Sequence, residues 1–361
     1  MDDIIYQLAL SLIKGIGPSI WKSLMNKYKS AECIFNLSNS DLSKVIKNSS
    51  ICNSILNKDT LTEAELIVAK HKKAGVKIIS YYGNDYPYRL KEIYDSPCFL
   101  YCIGKNILNN TRMLGVIGTR EPTNYGIKNC REFIKELAKY DVTTISGLAY
   151  GIDVLAHQES LNNNIPTLAV VAGGVDIIYP SVHREVYDRI IKNGGCIISE
   201  FGIGTKHDKF RFPLRNRIIA GLSDGILIIE AGEKSGTEIT ALCGNEYNRD
   251  VFAIPGNINS LKSLGCNKLI KANKASLVTN AQDIAEILNW NATSRQVENK
   301  ENIPLDKESL KIYNIIKQNN NITFDEIYQK IDIDSNVLSS ILLKLEINNH
   351  IRLTHGNKYT I

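Results

Sequence analysis

From residue 112 onward the chain repeats one unit: a short apolar run, a glycine-bearing loop, then a stretch with helical spacing. The apolar runs fall at 114–118, 142–146, 167–172, 196–199, 226–230 and 251–254. Strands covered on both faces read as near-continuous apolar runs, and parallel strands need a crossover helix between them. The repeat therefore predicts an α/β core, a parallel sheet with helices on both faces. Ligands of such sheets sit outside the carboxyl ends of the strands. The loops at 118–120, 146–153, 173–180, 200–217 and 230–238 all belong to that edge.

Length and composition set the frame. At 361 residues the chain is long enough for two or three domains. A hydrophobic content of 43% and a charged content of 22% are those of a globular protein. The net charge of +5 permits a polyanionic partner without requiring one. Met1-Asp2-Asp3 is acidic where a secretory leader would be basic, and no apolar run reaches the length of a membrane span. Eight scattered cysteines form no C-x-x-C and no zinc spacing. The expectation is a cytoplasmic protein with reduced thiols, no metal, no cofactor and no membrane contact.

Five segments follow from the pattern. Residues 1–75 read as helical, with Gly15-Ile16-Gly17-Pro18 between two apolar stretches and a later helix at 60–74. Helix, Gly-x-Gly, helix fits a SAM-like or helix-hairpin-helix domain, whose turn N–H groups can meet a phosphate. It equally fits a plain αα-hairpin. Residues 76–111, around Pro87 and Pro97, read as a connector, 112–290 as the core and 291–304 as a polar linker. Residues 305–361 read as three short helices and a hairpin turning at Gly356-Asn357, a winged-helix layout. Seven basic and seven acidic residues balance there, and the third helix carries Lys344 as its one base, so a protein-contact or structural role is expected rather than duplex reading.

The segment 206–217, Lys-His-Asp-Lys-Phe-Arg-Phe-Pro-Leu-Arg-Asn-Arg, is the most charged feature of the core. It sets Lys206, Lys209, Arg211, Arg215 and Arg217, with Phe210 and Phe212, around the single acid Asp208. Pro213 suits a first helical turn, which places Arg215, Asn216 and Arg217 near a helix N-terminus. Cations are unfavourable there. Two readings account for them. Either a polyanion meets guanidinium forks, N–H groups and aromatic faces, or a solvated basic loop carries an Arg pair in structural salt bridges.

Gly118-Thr119-Arg120 offers a sharp turn and a forked donor after the first core strand. Neither a G-x-G-x-x-G nor a G-x-x-x-x-G-K run is present, which excludes a dinucleotide fingerprint and a P-loop. Asp153 and His157 share a helix face, as a catalytic pair or as a capping Asp with a hydrogen-bonded His. Ser235-Gly236-Thr237-Glu238 opens another helix and suits either a cap or an anion, with Glu238 placed as a general base if the site is an enzyme's. No nucleophile, base and orienter stand together in the sequence.

Taken in order, Gly118-Thr-Arg120, Ser146-Gly-Leu-Ala-Tyr-Gly-Ile-Asp153 with His157, and Ala172-Gly-Gly-Val-Asp-Ile-Ile-Tyr-Pro180 form part of a set. Ser199-Glu200, the run 212–223 (F-P-L-R-N-R-I-I-A-G-L-S), Glu230-Ala231, Ser235-Gly236 and the run 249–256 complete it. The set resembles the DprA (Smf, DNA-processing protein A) family. The resemblance implies an extended Rossmann-like core with an N-terminal helical domain and a C-terminal winged-helix domain. It implies a non-enzymatic, dimeric protein that binds single-stranded DNA, protects incoming strands in natural transformation and loads the recombinase RecA. It places DNA at Arg120, Lys206, Lys209, Phe210, Arg211, Phe212, Arg215, Asn216 and Arg217. The glycine loops Gly118-Thr119, Gly147, Gly173-Gly174 and Ser235-Gly236, with Tyr150 as a stacking face, complete that site. It places the dimer contact at Leu264, Leu269 and Ile270. Four positions depart from the family pattern: Tyr150 stands where Arg is usual, His183 where Asn is usual, and Thr237-Glu238 where Ser-Leu is common. The alternative is a nucleotide-processing enzyme similar to phosphoribohydrolases, echoed by Gly236-Thr237-Glu238.

Overall fold

The computed structural model describes residues 3–292 apart from 234, and 306–360 apart from 320, 321, 332, 348, 349 and 355–357. The chain divides into two compact units, Met1–Arg295 and Gln296–Ile361.

The first unit is built on a sheet of β1 (Lys77–Ser80), β2 (Phe99–Gly104), β3 (Met113–Ile117), β4 (Thr143–Ser146), β5 (Thr167–Val170), β6 (Cys196–Ser199), β7 (Gly225–Ile228), β8 (Asp250–Ala253) and β9 (Ser276–Leu277). Their order is β1-β2-β6-β5-β4-β3-β7-β8-β9. All pairs from β6 to β9 are parallel. The six apolar runs of the sequence are β3 to β8. The central strands β3 to β7 are buried along their whole length, as two covered faces require.

The segment 76–111 is not a connector. It supplies β1 and β2, which extend the sheet antiparallel beyond β6, with Tyr101 opposite Ser199 and Ile79 opposite Leu100. No crossover helix follows β1, and Pro87 and Pro97 lie in the connection, so the βα repeat could not reveal it.

Helices Arg211–Leu222, Gly236–Glu246 and Leu264–Lys271 cover one face through Ile218, Ile219, Leu222, Ala241 and Leu269. Helices Asn124–Leu137 and Ala281–Ile287 cover part of the other through Cys130, Phe133, Ile134 and Ile284 against Leu114, Val116, Leu227 and Phe252. Six N-terminal helices (Asp3–Leu12, Pro18–Tyr28, Ala31–Phe35, Asn39–Ser43, Ser49–Asn57 and Leu61–Lys73) share an apolar cluster with Tyr101, Ala169, Val171 and Ile197 of the sheet region. They are therefore packed within the first unit. Trp21 is fully buried and its indole N–H donates to the Gln7 carbonyl at 2.9 Å, locking the first two helices together. Pro18 opens the second helix, and Gly15 in the turn before it has φ +98°. Lys22, one of the bases flanking that turn, donates to the Ser96 carbonyl and hydroxyl at 2.7 and 2.6 Å.

The second unit carries helices Lys307–Gln318, Phe324–Tyr328 and Ser335–Ile347 with β10 (Ile322–Thr323), β11 (Arg352–Thr354) and β12 (Lys358–Thr360) in the order β10-β12-β11. Ile312, Ile316, Ile327, Leu338, Leu342 and Leu345 form its core. Leu353 pairs with Tyr359 in the expected hairpin, whose Gly356-Asn357 turn lies outside the described residues, as does the linker beyond residue 292. Among the described residues, no helix is long and apolar enough to cross a membrane.

Candidate nucleic-acid interface

The sheet order places β3 at the point where the chain reverses direction. Successive crossovers run from β3 through β4 and β5 to β6 on one side, then from β7 to β9 on the other. The carboxyl ends of β3 and β7 therefore border the crevice in which open α/β sheets hold ligands. Gly118 begins the loop there because a Cβ would lie 2.6 Å from the Ile152 side chain. Thr119 is pinned on both sides: its N–H donates to the Glu230 carbonyl at 2.7 Å and its carbonyl accepts from Ile152 at 3.1 Å. This rigid turn delivers Arg120 to the surface, exposed, with no ion pair or side-chain hydrogen bond among the described residues. Its guanidinium lies 5.6 Å from the centre of the Phe212 ring.

Phe212 belongs to an aromatic group that walls a pocket with Arg120, Gly147, Tyr150 and Gly173. Tyr179 stacks on His207 with ring centres 3.9 Å apart and lies 5.9 Å from Phe212. Tyr150 stands half-exposed with its ring edge-on to the buried His183, 5.2 Å away. His183 Nδ1 in turn bonds the Leu148 carbonyl at 2.9 Å. Tyr150 and His183 thus form one aromatic pair at the rim of the pocket. Gly173 and Gly174 let the chain after β6 cross the end of β5. Gly174 donates to Thr205 at 2.8 Å, and a Cβ at Gly173 would lie 2.9 Å from the same oxygen.

The basic segment splits into two groups. Lys206, Lys209 and Phe210 are exposed; Lys209 Nζ lies 4.9 Å over the Phe210 ring, and Phe210 is 70% exposed. Arg211 lies over Phe201 at 4.7 Å and donates to the Lys206 carbonyl. Arg215 and Arg217 point into the protein. Arg215 is 5% exposed and donates to the carbonyls of Gly147 and Val170, the latter at 2.7 Å. Gly147 is a glycine because a Cβ there would collide with this guanidinium. Arg217 donates to both Glu200 oxygens at 2.6 Å and to the Asp95 carbonyl at 2.6 Å. Internal carbonyls around Arg215, and the Glu200 carboxylate at Arg217, thus offset the cost of cations near the start of the helix Arg211–Leu222. Asn216 joins them, accepting from Arg215 at 3.1 Å and donating towards the Gly236 carbonyl at 3.4 Å.

Asp153 and His157 are structural. The Asp153 carboxylate accepts from the Gly147 N–H at 3.1 Å; burial pushes its pKa up, and the nearby Arg215 opposes the shift. His157 is fully buried, bonds Thr167 at 2.7 Å, and is held neutral by burial, its pKa lowered to about 3. Among the described residues no cluster suits a metal ion. Ser235 and Gly236 line a second compartment beside Arg120, with Thr237 and Thr240. Glu238 instead pairs with Lys268 at 3.0 Å, away from that lining.

Two of the three residues expected at a dimer contact, Leu269 and Ile270, pack against a core cluster of the sheet. Leu269 is 4% exposed and belongs to the core cluster beneath the helix Leu264–Lys271; Ile270 packs against the same cluster, and Leu264 is half-buried. A short helix laid on a sheet turns its apolar stripe inward. The exposed apolar residues of this region are Ile258 and Leu261. Tyr179 and His207 were not among the contacts expected from the sequence. Tyr179 and His207 lie inside segments already singled out, and their aromatic character beside a glycine loop was the available signal.

Known proteins resemble this chain in sequence and fold. The family model for DNA recombination-mediator protein A matches residues 77–289, beginning at β1 and ending after the last helix of the sheet. The chain is 34% identical over 288 residues to Protein Smf of Synechocystis sp., covering 78% of this chain and 72% of that one. The X-ray structure of DNA processing protein A from Streptococcus pneumoniae superposes with a TM-score of 0.66 at 32% identity, covering 81% of this chain and 100% of that one. DNA processing protein A from Helicobacter pylori, whose structure is described for its single-stranded DNA binding mode, gives a TM-score of 0.54 at 29% identity, covering 60% of this chain and 97% of that one. With more than half of its length matched by the family model, the chain belongs to the DNA recombination-mediator protein A family.

Proposed function

We propose that this chain binds single-stranded DNA in the pocket between Arg120 and the aromatic group Tyr179, His207 and Phe212. The observation that carries the reading is the unpaired, exposed Arg120 guanidinium set over an aromatic ring beside a second stacked pair. A phosphate takes the fork, and an unstacked base takes the ring face. A duplex hides its base faces, so the same surface discriminates for single strands. Lys206, Lys209, Phe210 and Arg211 extend the contact along the rim. The backbones of Gly118, Thr119, Gly147, Gly173 and Gly174 form the wall. Arg215, Asn216 and Arg217 support it from behind. Tyr150 adds an aromatic face where an arginine fork is usual. The Helicobacter pylori relative's single-stranded DNA binding mode supports this reading.

In this account the protein acts in the cytosol, protects incoming strands and loads RecA onto them during natural transformation or homologous recombination. The family description as a recombination mediator supports that part. No residue is assigned a catalytic role. Two copies pair through the exposed Ile258 and Leu261, so that two pockets hold one strand and gain through effective concentration. The second unit acts as a winged-helix module for protein contact. The test is fluorescence anisotropy with a labelled single strand and its duplex. Single-strand preference with steep salt dependence is expected; equal affinity for both forms overturns the reading.

A further inference from the structure

Two compartments of opposite chemistry meet at Arg120 and Ala149, which wall both. One is the aromatic pocket of Tyr150, Tyr179, His207 and Phe212. The other is lined by Gly118, Ser235, Gly236, Thr237 and Thr240, with Ile117 and Ile219 as apolar floor. The helix Gly236–Glu246, eleven residues long, begins in the second compartment, and its N-cap Ser235 makes no capping hydrogen bond. Among the described residues the Ser235 hydroxyl is buried without a partner. Thr237 and Thr240 are 7% and 2% exposed, and among the described residues neither side chain makes a hydrogen bond. Three hydroxyls are thus gathered at the positive end of a helix, beside an unpaired guanidinium. Hydroxyls without protein partners at a helix N-terminus suit an oxygen-rich anion.

The carboxylates near the compartment do not oppose an anion. Glu121 pairs with Lys262 at 3.0 Å and Glu238 with Lys268 at 3.0 Å. Asp153 accepts from the Gly147 N–H and lies close to the Arg215 charge.

We propose that the two compartments together hold one nucleotide bearing a terminal phosphomonoester, its base against Tyr179 and Phe212 and its phosphate at the start of the helix Gly236–Glu246. The inference rests on the strand-binding reading above. A phosphomonoester presents three free oxygens, which match three hydroxyls, the first helical N–H groups and the Arg120 fork. An internal diester presents two, and its chain must also leave on both sides. The ligand chemistry is shared by the phosphorylated end of a strand and a free nucleoside monophosphate.

The experiment uses the full chain and internally labelled oligothymidylates of one sequence, ended by a 5′-phosphate, a 3′-phosphate or hydroxyls alone. One phosphorylated end should bind about tenfold more tightly than the hydroxyl-ended strand, the increment of a single charge-assisted hydrogen bond. Thymidine monophosphate should compete where thymidine does not, and its ³¹P resonance should shift on titration with the protein. The Ser235→Ala, Thr240→Val double variant, checked by its melting temperature, should bring the affinity ratio of phosphorylated to hydroxyl ends towards one. Strand binding with no gain from either phosphate overturns the inference and leaves the strand-binding reading standing. Failure to bind any strand overturns that reading instead. The ³¹P titration then decides the phosphate site alone, a shift supporting it and an unmoved resonance rejecting it.

Discussion

Replacing Arg215 by Ala should unfold the pocket rather than merely unload it. The guanidinium is buried, donates to the carbonyls of Gly147 and Val170, and lies near the buried Asp153. Charged hydrogen bonds contribute about 1.5–3 kcal/mol each. Losing two such bonds and leaving both carbonyls desolvated costs about 3–5 kcal/mol in all. At roughly 2–4 °C per kcal/mol for a unit of this size, the melting temperature should fall by roughly 6–20 °C. A thermal melt followed by far-ultraviolet circular dichroism reads it. Asp153→Asn added to Arg215→Met should destabilise by less than the sum of the two single changes, because it relieves the unpaired charge, with a coupling on the order of 1–3 kcal/mol. An Arg215→Ala protein that melts at the parent temperature yet loses strand binding would refute this argument and make Arg215 a direct strand contact.

Other residues separate surface from core in the same way. Leu269→Arg should destabilise the first unit by about 3 kcal/mol or more, because it buries a charge, whereas Leu261→Arg, at a position 76% exposed, should leave the melting temperature unchanged and yield a monomer by light scattering; a folded monomeric Leu269→Arg protein would contradict the proposed pairing through Ile258 and Leu261. Phe210→Ala should lower single-strand affinity by about 1–3 kcal/mol without a change in melting temperature, and unchanged affinity would remove Phe210 from the stacking surface. His157 has a folded pKa of about 3 against an ordinary 6.5, so the unfolded chain binds its proton first. Its contribution is full above pH 6.5 and is lost as pH falls towards 3, reaching about 2 kcal/mol at pH 5. Denaturant unfolding of the parent should therefore lose about that much more than His157→Gln between pH 8 and pH 5, and parallel pH curves would refute it.

The βα alternation made β3 to β8 legible, because each strand is a buried apolar run followed by a glycine loop. β1 and β2 were hidden because no crossover helix follows β1, so nothing in the periodicity announced sheet pairing. The glycines marked the ligand edge for reasons that the structure makes specific: Gly147 yields space to Arg215 and Gly173 to the chain at Thr205. Arg120 and the split basic segment lay within the motifs, but sequence alone could not say which cations face solvent. That division depends on Glu200, Asp95 and two strand-end carbonyls, partners far away in the chain. Leu269 shows the same limit, since an apolar helical stripe does not state whether it covers a sheet or a second subunit.

The central claim is that Arg120 contacts a strand phosphate. The most direct measurement is the affinity of the parent and of Arg120→Ala for one single-stranded oligonucleotide over a salt series. Loss of one phosphate contact should weaken binding and lower the slope of log affinity against log salt by about 0.7, at an unchanged melting temperature. Identical affinities and slopes in the two proteins would place the strand elsewhere on the molecule.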